Sequence, residues 1–240
     1  LLPAGAGLLI QEELDNLNAI LGNAERPMAA VVGGAKISTK LSLLSNLVKK
    51  VDYLILGGGM ANTFLLARDI PVGKSLVEPD MVNEAQNIMA AADAHNCQII
   101  LPIDVSCAKE FAANVPNEIH STSTIPADLM VLDVGGESIN NVKEILQDCK
   151  TVIWNGPMGA FEIKPFDVGT NELAKTVAQL TQSGALKSVA GGGDTVAALD
   201  GTNSSKDFTY ISTAGGAFLE WLESKTLPGI AALLTNKKAA

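Results

Sequence analysis

The chain has 240 residues and is 47% hydrophobic but only 4% aromatic, so it can bury a large core made mainly of Ala, Val, Leu and Ile. Its formal net charge of −9 argues against a general nucleic-acid binder, which would be basic. No apolar run approaches the roughly 18 residues needed to cross a bilayer, and no basic segment followed by an apolar one marks a signal peptide.

The chain opens on Leu1 rather than Met, and "LLPAGAGLL" reads as the middle of a longer sequence. Amphipathic and apolar segments then alternate. The pattern predicts a helix over 10–21, a strand over 29–32, a helix over 38–48, a strand over 53–56 and a helix over 61–67. A helix over 80–95 has a clear start, with Pro79 before Asp80 and Glu84 in its first turns. A strand over 98–102 follows. Residues 110–126 are the least regular stretch and read as an excursion with a short hairpin. Further strands are expected over 130–133, 152–154, 188–190 and 208–211, and further helices over 139–147, 171–181, 195–199 and 217–223. The tail 228–240 is apolar and then basic; it packs on something outside this chain or frays.

Such alternation predicts an α/β fold: a doubly wound, mainly parallel sheet flanked by helices, a Rossmann-like three-layer sandwich. The strands are near-continuous apolar runs, as strands buried on both faces should be. No repeat, low-complexity tract or internal boundary divides the chain, so 1–240 reads as a single domain. Cys97, Cys107 and Cys149 fit no zinc spacing and read as buried thiols in a reducing, cytoplasmic compartment. His95 and His120 have no partner at metal spacing. Of 17 basic residues only Arg26 and Arg68 are arginine, the usual fork for carboxylate and phosphate.

Five glycine-rich turns follow predicted strands: "VVGGAKISTK", "LILGGGMANTF", "VIWNGPMGAFE", "VAGGGDTVAAL" and "ISTAGGAFLEW". In a doubly wound sheet these turns share one edge, where ligands bind. Glycine lets backbone approach a ligand closely, and a helix starting after the turn aims unpaired N–H groups at an anion such as phosphate. Tight turning alone is the competing explanation. Neither G-x-x-x-x-G-K-[ST] nor a G-x-G-x-x-G fingerprint is present, which excludes an ordinary P-loop and a standard dinucleotide site. Lys36 and Lys40 would share one helix face if the helix began near Ser38, placed to meet phosphate. Asp194 reads either as an N-cap or as a carboxylate for Mg²⁺. Thr195 offers a hydroxyl, Glu162 is a ribose acceptor or a surface acid, and Asn155 is a phosphate donor or a turn cap. Asp104 and Asp133 sit at strand ends without an assignable role.

Seven stretches together, "GGAKISTKL", "LGGGMANTF", "GKSLVE", "ILPIDV", "WNGPMGAFE", "AGGGDTVAA" and "STAGGAFLE", resemble the C-terminal, nucleotide-binding half of the phosphoglycerate kinase family. The resemblance implies reversible phosphoryl transfer between 1,3-bisphosphoglycerate and Mg·ADP, giving 3-phosphoglycerate and Mg·ATP. It implies that Gly33, Gly34 and Ala35 border an adenine pocket, with Gly57 and Gly58 opposite and Leu76 and Leu132 lining it. Lys36 would approach the phosphoryl group in flight, and Lys40 the nucleotide phosphates. Asn155, Pro157, Gly159 and Ala160 would border the nucleotide, Glu162 would take the ribose, and Asp194 the magnesium. The turn Gly191, Gly192 and Gly193, with Thr195 and the backbone of Ala214, Gly215 and Gly216, would complete the phosphate cradle. Ala214 replaces the family's usual glycine, and Ala160 its common valine. The family's His- and Arg-rich acceptor site belongs to an N-terminal half, so this polypeptide is expected to bind Mg·nucleotide, as a monomer, without turning over alone. A non-catalytic binding module and a nicotinamide-dependent dehydrogenase are the alternatives.

Overall fold

The computed structural model describes residues 24–212 together with Asn16, Leu17, Gly22, Phe218 and Leu222. The helices expected over 10–21 and 217–223 fall outside the described residues except at Asn16, Leu17, Phe218 and Leu222, which are helical. The tail and Ala214, Gly215 and Gly216 also lie outside them.

In chain order the strands are β1 Met28–Val32, β2 Tyr53–Leu56, β3 Gln98–Ile100, β4 Asp104–Ala108, β5 Glu118–Ser121, β6 Met130–Val134, β7 Thr151–Asn155, β8 Lys187–Ala190 and β9 Tyr210–Ile211. The α-helices are α1 Leu41–Leu47, α2 Gly58–Leu66, α3 Val82–Ala94, α4 Gly136–Asp148, α5 Val168–Gln182 and α6 Gly193–Gly201. Six strands form one parallel sheet in the order β3-β2-β1-β7-β8-β9. The chain winds outward from β1 to β3 and then returns to β7 on the other side of β1. The topological switch point therefore lies between β1 and β7, where such sheets open a crevice at their carboxyl ends.

Side chains of the central strands alternate between two cores, because successive Cβ atoms in a strand point to opposite faces. Met28, Ala30 and Val32 join one core with Leu43, Phe64 and Ile88. Ala29 and Val31 join the other with Trp154, Leu146 and Leu173. All five β1 residues are buried, as a central strand covered on both faces requires. The expected three-layer sandwich is the observed one. The three thiols are free and buried in these cores. Burial, first of all, pushes Cys97 and Cys107 up to about 11 and Cys149 up to about 12.

One strand belongs elsewhere. Residues 130–133 were expected in the parallel sheet, but β6 pairs antiparallel with β4, and β4 pairs antiparallel with β5, in a separate three-stranded sheet. An apolar run such as "MVLDV" encodes burial, not the identity of its neighbour. The hairpin expected within 110–126 supplies β5, but its other arm is β4, which starts four residues after β3 ends. Helix starts also moved. A 3-10 turn over Pro79–Met81 precedes α3, so the α-helix begins at Val82 rather than Asp80. Helices α2 and α6 begin inside their glycine runs.

Asp104, left without a role by its spacing, ties the two sheets together. Its carboxylate accepts from Glu137 N (3.0 Å) and Ser138 N (2.7 Å), satisfying two orphan donors at the start of α4. Ser138 Oγ donates to the same carboxylate at 2.7 Å. The cap comes from another element, which a local N-cap search cannot find. Asp104 is buried, so losing it strands those donors. Asp104→Ala should destabilise the chain by about 2–4 kcal/mol, read by urea denaturation. A loss below about 0.5 kcal/mol, the range of ordinary surface substitutions, would rule out this capping role.

Candidate functional site

Four of the five glycine turns lie among the described residues, and the first three pack on one another at the switch point. Gly33 N donates to Asn155 O at 3.1 Å, joining the turns after β1 and β7. A Cβ on Gly33 would lie 1.7 Å from Pro157 O, so the two turns touch backbone to backbone. Gly58 has φ +68, and a Cβ there would lie 2.6 Å from Gly34 O. Its N–H donates to Met158 O (2.7 Å), and Met60 N donates to Gly34 O (3.0 Å). Glycine at these positions allows contact between loops, and Gly58 also borders the cleft those loops form.

The packed loops surround a cleft of about 570 Å³. Gly34, Ala35 and Gly58 line it, with Leu76 and Leu132. Pro157, Gly159, Ala160, Glu162 and Asp194 line it too. These segments are scattered from position 34 to 194, and the fold gathers them on one cleft. Leu76 is 52% exposed, an uncommon state for a large apolar side chain, and Asn62 Nδ2 holds its carbonyl at 3.2 Å. Lys74, Phe111, Met130 and Val131 also line the cleft and were missed. Phe111 is 65% exposed; a phenylalanine in an irregular, polar stretch was the signal that could have found it. Lys74 lay inside the quoted "GKSLVE".

Other expected residues do not line the cleft. Lys40 precedes α1 and Lys36 stands in the turn before it, so the two do not share a helix face; α1 starts at Leu41, not near Ser38. Lys36 is exposed. Its loop is held by Glu78, whose carboxylate accepts from Ser38 Oγ (2.5 Å) and Ser38 N (3.1 Å). Lys40 Nζ donates inward to Gly33 O (2.7 Å), Asn155 O (3.0 Å) and Asn155 Oδ1 (2.6 Å). Asn155 Nδ2 donates to Gly191 O (2.8 Å), and Thr195 Oγ1 accepts from Gly156 N (2.7 Å). Lys40, Asn155 and Thr195 thus brace the turns after β1, β7 and β8 behind the cleft. Gly33, Gly57, Gly191, Gly192 and Gly193 supply the turns themselves, and Ala214 and Gly215 lie outside the described residues.

Burial pushes the Lys40 ammonium down to about 8, and the Asp194 charge works the other way. Asp194 is not an N-cap: Gly192 caps α6, and Asp194 is its second residue, exposed and lining the cleft. Among the described residues no group of three His, Cys, Asp or Glu could hold a metal. Asp194 is one of three carboxylates lining the cleft, with Asp133 and Glu162; Mg²⁺ takes one or two carboxylates and completes its shell with phosphate oxygens and water. Burial likewise pushes the Asp133 carboxyl up to about 7, against backbone N–H groups of Gly169 and Val134.

The family described as Phosphoglycerate kinase matches residues 1–225. The phosphoglycerate kinase of Cereibacter sphaeroides is 59% identical over 233 residues, 97% of this chain and 59% of that protein. That of Ruegeria pomeroyi is 57% identical over 234 residues, 98% of this chain and 59% of that protein. The phosphoglycerate kinase structure from Coxiella burnetii superposes with TM-score 0.91 at 42% identity, over 96% of this chain and 58% of that one. The Pyrococcus horikoshii structure gives TM-score 0.79 at 27% identity, over 97% and 57%. The chain thus spans about 59% of the length of the curated relatives it matches.

The brace has a pH signature. The folded Lys40 value, about 8, lies below the ordinary 10.5, so between those limits the unfolded chain binds more protons and stability rises with pH. Below about pH 8 both states are protonated and the burial penalty is fully present. Lys40→Met should lack this rise, worth about 2–3 kcal/mol. Urea denaturation of both chains at about pH 7.5, 9 and 10 tests it; identical slopes would refute a buried, strained ammonium.

Proposed function

The chain belongs to the phosphoglycerate kinase family, and from that premise we propose that it carries the Mg·nucleotide site for reversible phosphoryl transfer between 1,3-bisphosphoglycerate and ADP. One observation carries the reading: Gly34, Ala35, Leu76, Leu132, Glu162 and Asp194, separated by up to 160 positions, open onto a single cleft at the switch point. The dehydrogenase alternative is set aside, since the family matched is a kinase.

In this reading Leu76, Leu132 and Phe111 supply apolar contact for a purine base, and Glu162 accepts from ribose hydroxyls. Helix α6 begins at Gly193 and presents unpaired N–H groups to phosphate, with the helix dipole favouring the anion by about 0.3–1 kcal/mol. Asp194, together with phosphate oxygens, would hold Mg²⁺, which supplies charge neutralisation when bound. Lys36, exposed beside Ala35 at the cleft, meets the charge on the phosphoryl group in transfer. A β-phosphate oxygen of ADP attacks the acyl phosphorus, the bond to the carboxylate oxygen breaks, and the carboxylate leaves. Such transfer asks for positioning and charge compensation and little covalent help.

The polypeptide of 240 residues holds one reactant. Arg26 is engaged with Asp52 (2.6 Å), whose carboxylate also accepts from Met28 N at the start of β1, the sheet edge opposite the cleft. Arg68 follows the C-terminal end of α2, a helix that begins at the glycine turn. Neither arginine is near the cleft, which supports a 3-phosphoglycerate site lying outside these residues. On its own the chain then acts as a nucleotide-binding monomer; its free, buried thiols fit a reducing cytoplasm.

Calorimetry should show Mg·ADP binding by the 240-residue chain, while a coupled assay should detect negligible turnover. Absence of binding would end the reading, and near-normal turnover would end the half-site part of it. Asp194→Ala should weaken Mg·ADP by about tenfold or more and metal-free ADP hardly at all; equal losses would indicate a purely structural role. In an enzyme of full family length, Lys36→Ala should slow transfer by about a hundredfold or more while nucleotide affinity changes by less than about threefold. Single-turnover kinetics decide between this ranking and its reverse.

A further inference from the structure

The cleft wall is built around a buried acid that the chemistry above does not use. Asp133, at the end of β6, is 2% exposed. Its Oδ2 accepts from Gly169 N (2.7 Å) near the start of α5, and its Oδ1 accepts from Val134 N (2.8 Å). A Cβ on Gly159 would fall 2.3 Å from Oδ1, and one on Gly169 2.5 Å from it. Two segments distant in sequence therefore both lack a side chain where this carboxylate sits. Around it the segment 157–160 is clamped on both sides: Ala160 N donates to Leu132 O (2.7 Å), and Met158 N donates to Thr170 Oγ1 (3.0 Å). Leu132, Gly159, Ala160 and Glu162 all face the cleft.

We propose that Asp133 is a positioning residue for the nucleoside part of the nucleotide, acting through Gly159 and the first turn of α5; this rests on reading the cleft as the nucleotide site. A hydroxyl or amide could satisfy one backbone donor at smaller desolvation cost. The carboxylate accepts from Gly169 N at the start of α5 and from Val134 N of its own strand at once, on separate oxygens. The neighbouring Asp167 charge makes ionisation harder still, so the group is retained against both burial and repulsion. Its bond to Gly169 N ties β6, which carries Leu132, to the start of α5, and its Oδ1 fills the space that a side chain at Gly159, in the loop carrying Ala160 and Glu162, would need. Of the nucleoside contacts in the proposed function, Leu132 and Glu162 come from those two segments, whereas the phosphate contacts come from α6 and the Lys36 loop.

That division sets the test. Mg·ADP and Mg·pyrophosphate affinities are measured by calorimetry for the unsubstituted chain, Asp133→Asn and Asp133→Ala, with melting temperatures alongside. Asp133→Ala should weaken Mg·ADP by about tenfold and Asp133→Asn by about threefold. Mg·pyrophosphate should change by less than about twofold in both. Should Asp133→Ala fail to fold, Asp133→Asn carries the comparison. Unchanged ADP affinity, or parallel weakening of ADP and pyrophosphate, overturns the positioning role. If the unsubstituted chain fails to bind Mg·ADP, the cleft reading falls first and the proposal with it.

Discussion

The ammonium of Lys40, seated on Gly33 O, Asn155 O and Asn155 Oδ1, is the contact on which the cleft depends. Strands β1 and β7 are hydrogen-bonded neighbours, but the chain leaves them in opposite directions, and their turns would otherwise splay apart. One cation reaches three oxygens of the two turns, including Gly33 O and Asn155 Oδ1. Asn155 extends the connection to Gly191, and Thr195 returns it to Gly156. The arrangement costs desolvation, seen in the lowered Lys40 value. Charge-assisted hydrogen bonds, each worth about 1.5–3 kcal/mol, offset part of it. Removing the cation would take away the donor to Gly33 O and Asn155 Oδ1, while Asn155 O would keep the bond from Gly33 N.

With that brace in place, the glycines take on a different meaning. Gly33 and Gly58 are where loops meet loops, and Gly58 borders the cleft as well. The cleft exists because three turns can approach to backbone contact, and only then do side chains from six or more segments reach a common space. Cleft geometry and packing are here the same constraint: a methyl group on Gly33 would push apart the turns that carry Ala35 and Pro157.

Much of this was legible beforehand. The alternation of apolar and amphipathic segments gave the parallel sheet, because each strand buried on both faces must read as a continuous apolar run. The glycine turns located the edge on which the cleft opens. Three things were not legible. Strand β6 pairs in a second sheet, and no periodicity names a partner. Asp104 caps a helix more than thirty residues away, a purely tertiary relation. Lys40 and Asn155 turned inward, because a lysine or an asparagine in a loop carries no mark of which way it faces. Phe111 was the exception that sequence could have revealed, an aromatic side chain in a stretch with no core pattern to bury it.

The three thiols, sealed inside the two cores and held far from ionisation, leave the surface of the described chain without a sulfur nucleophile. Alkylating dyes attack the thiolate, so the native chain is silent toward them near neutral pH. A single cysteine placed on the exposed loop at the cleft rim would therefore accept a fluorophore cleanly, with no background to remove. The molecule arrives ready-made as a scaffold for optical reporting of what enters that space.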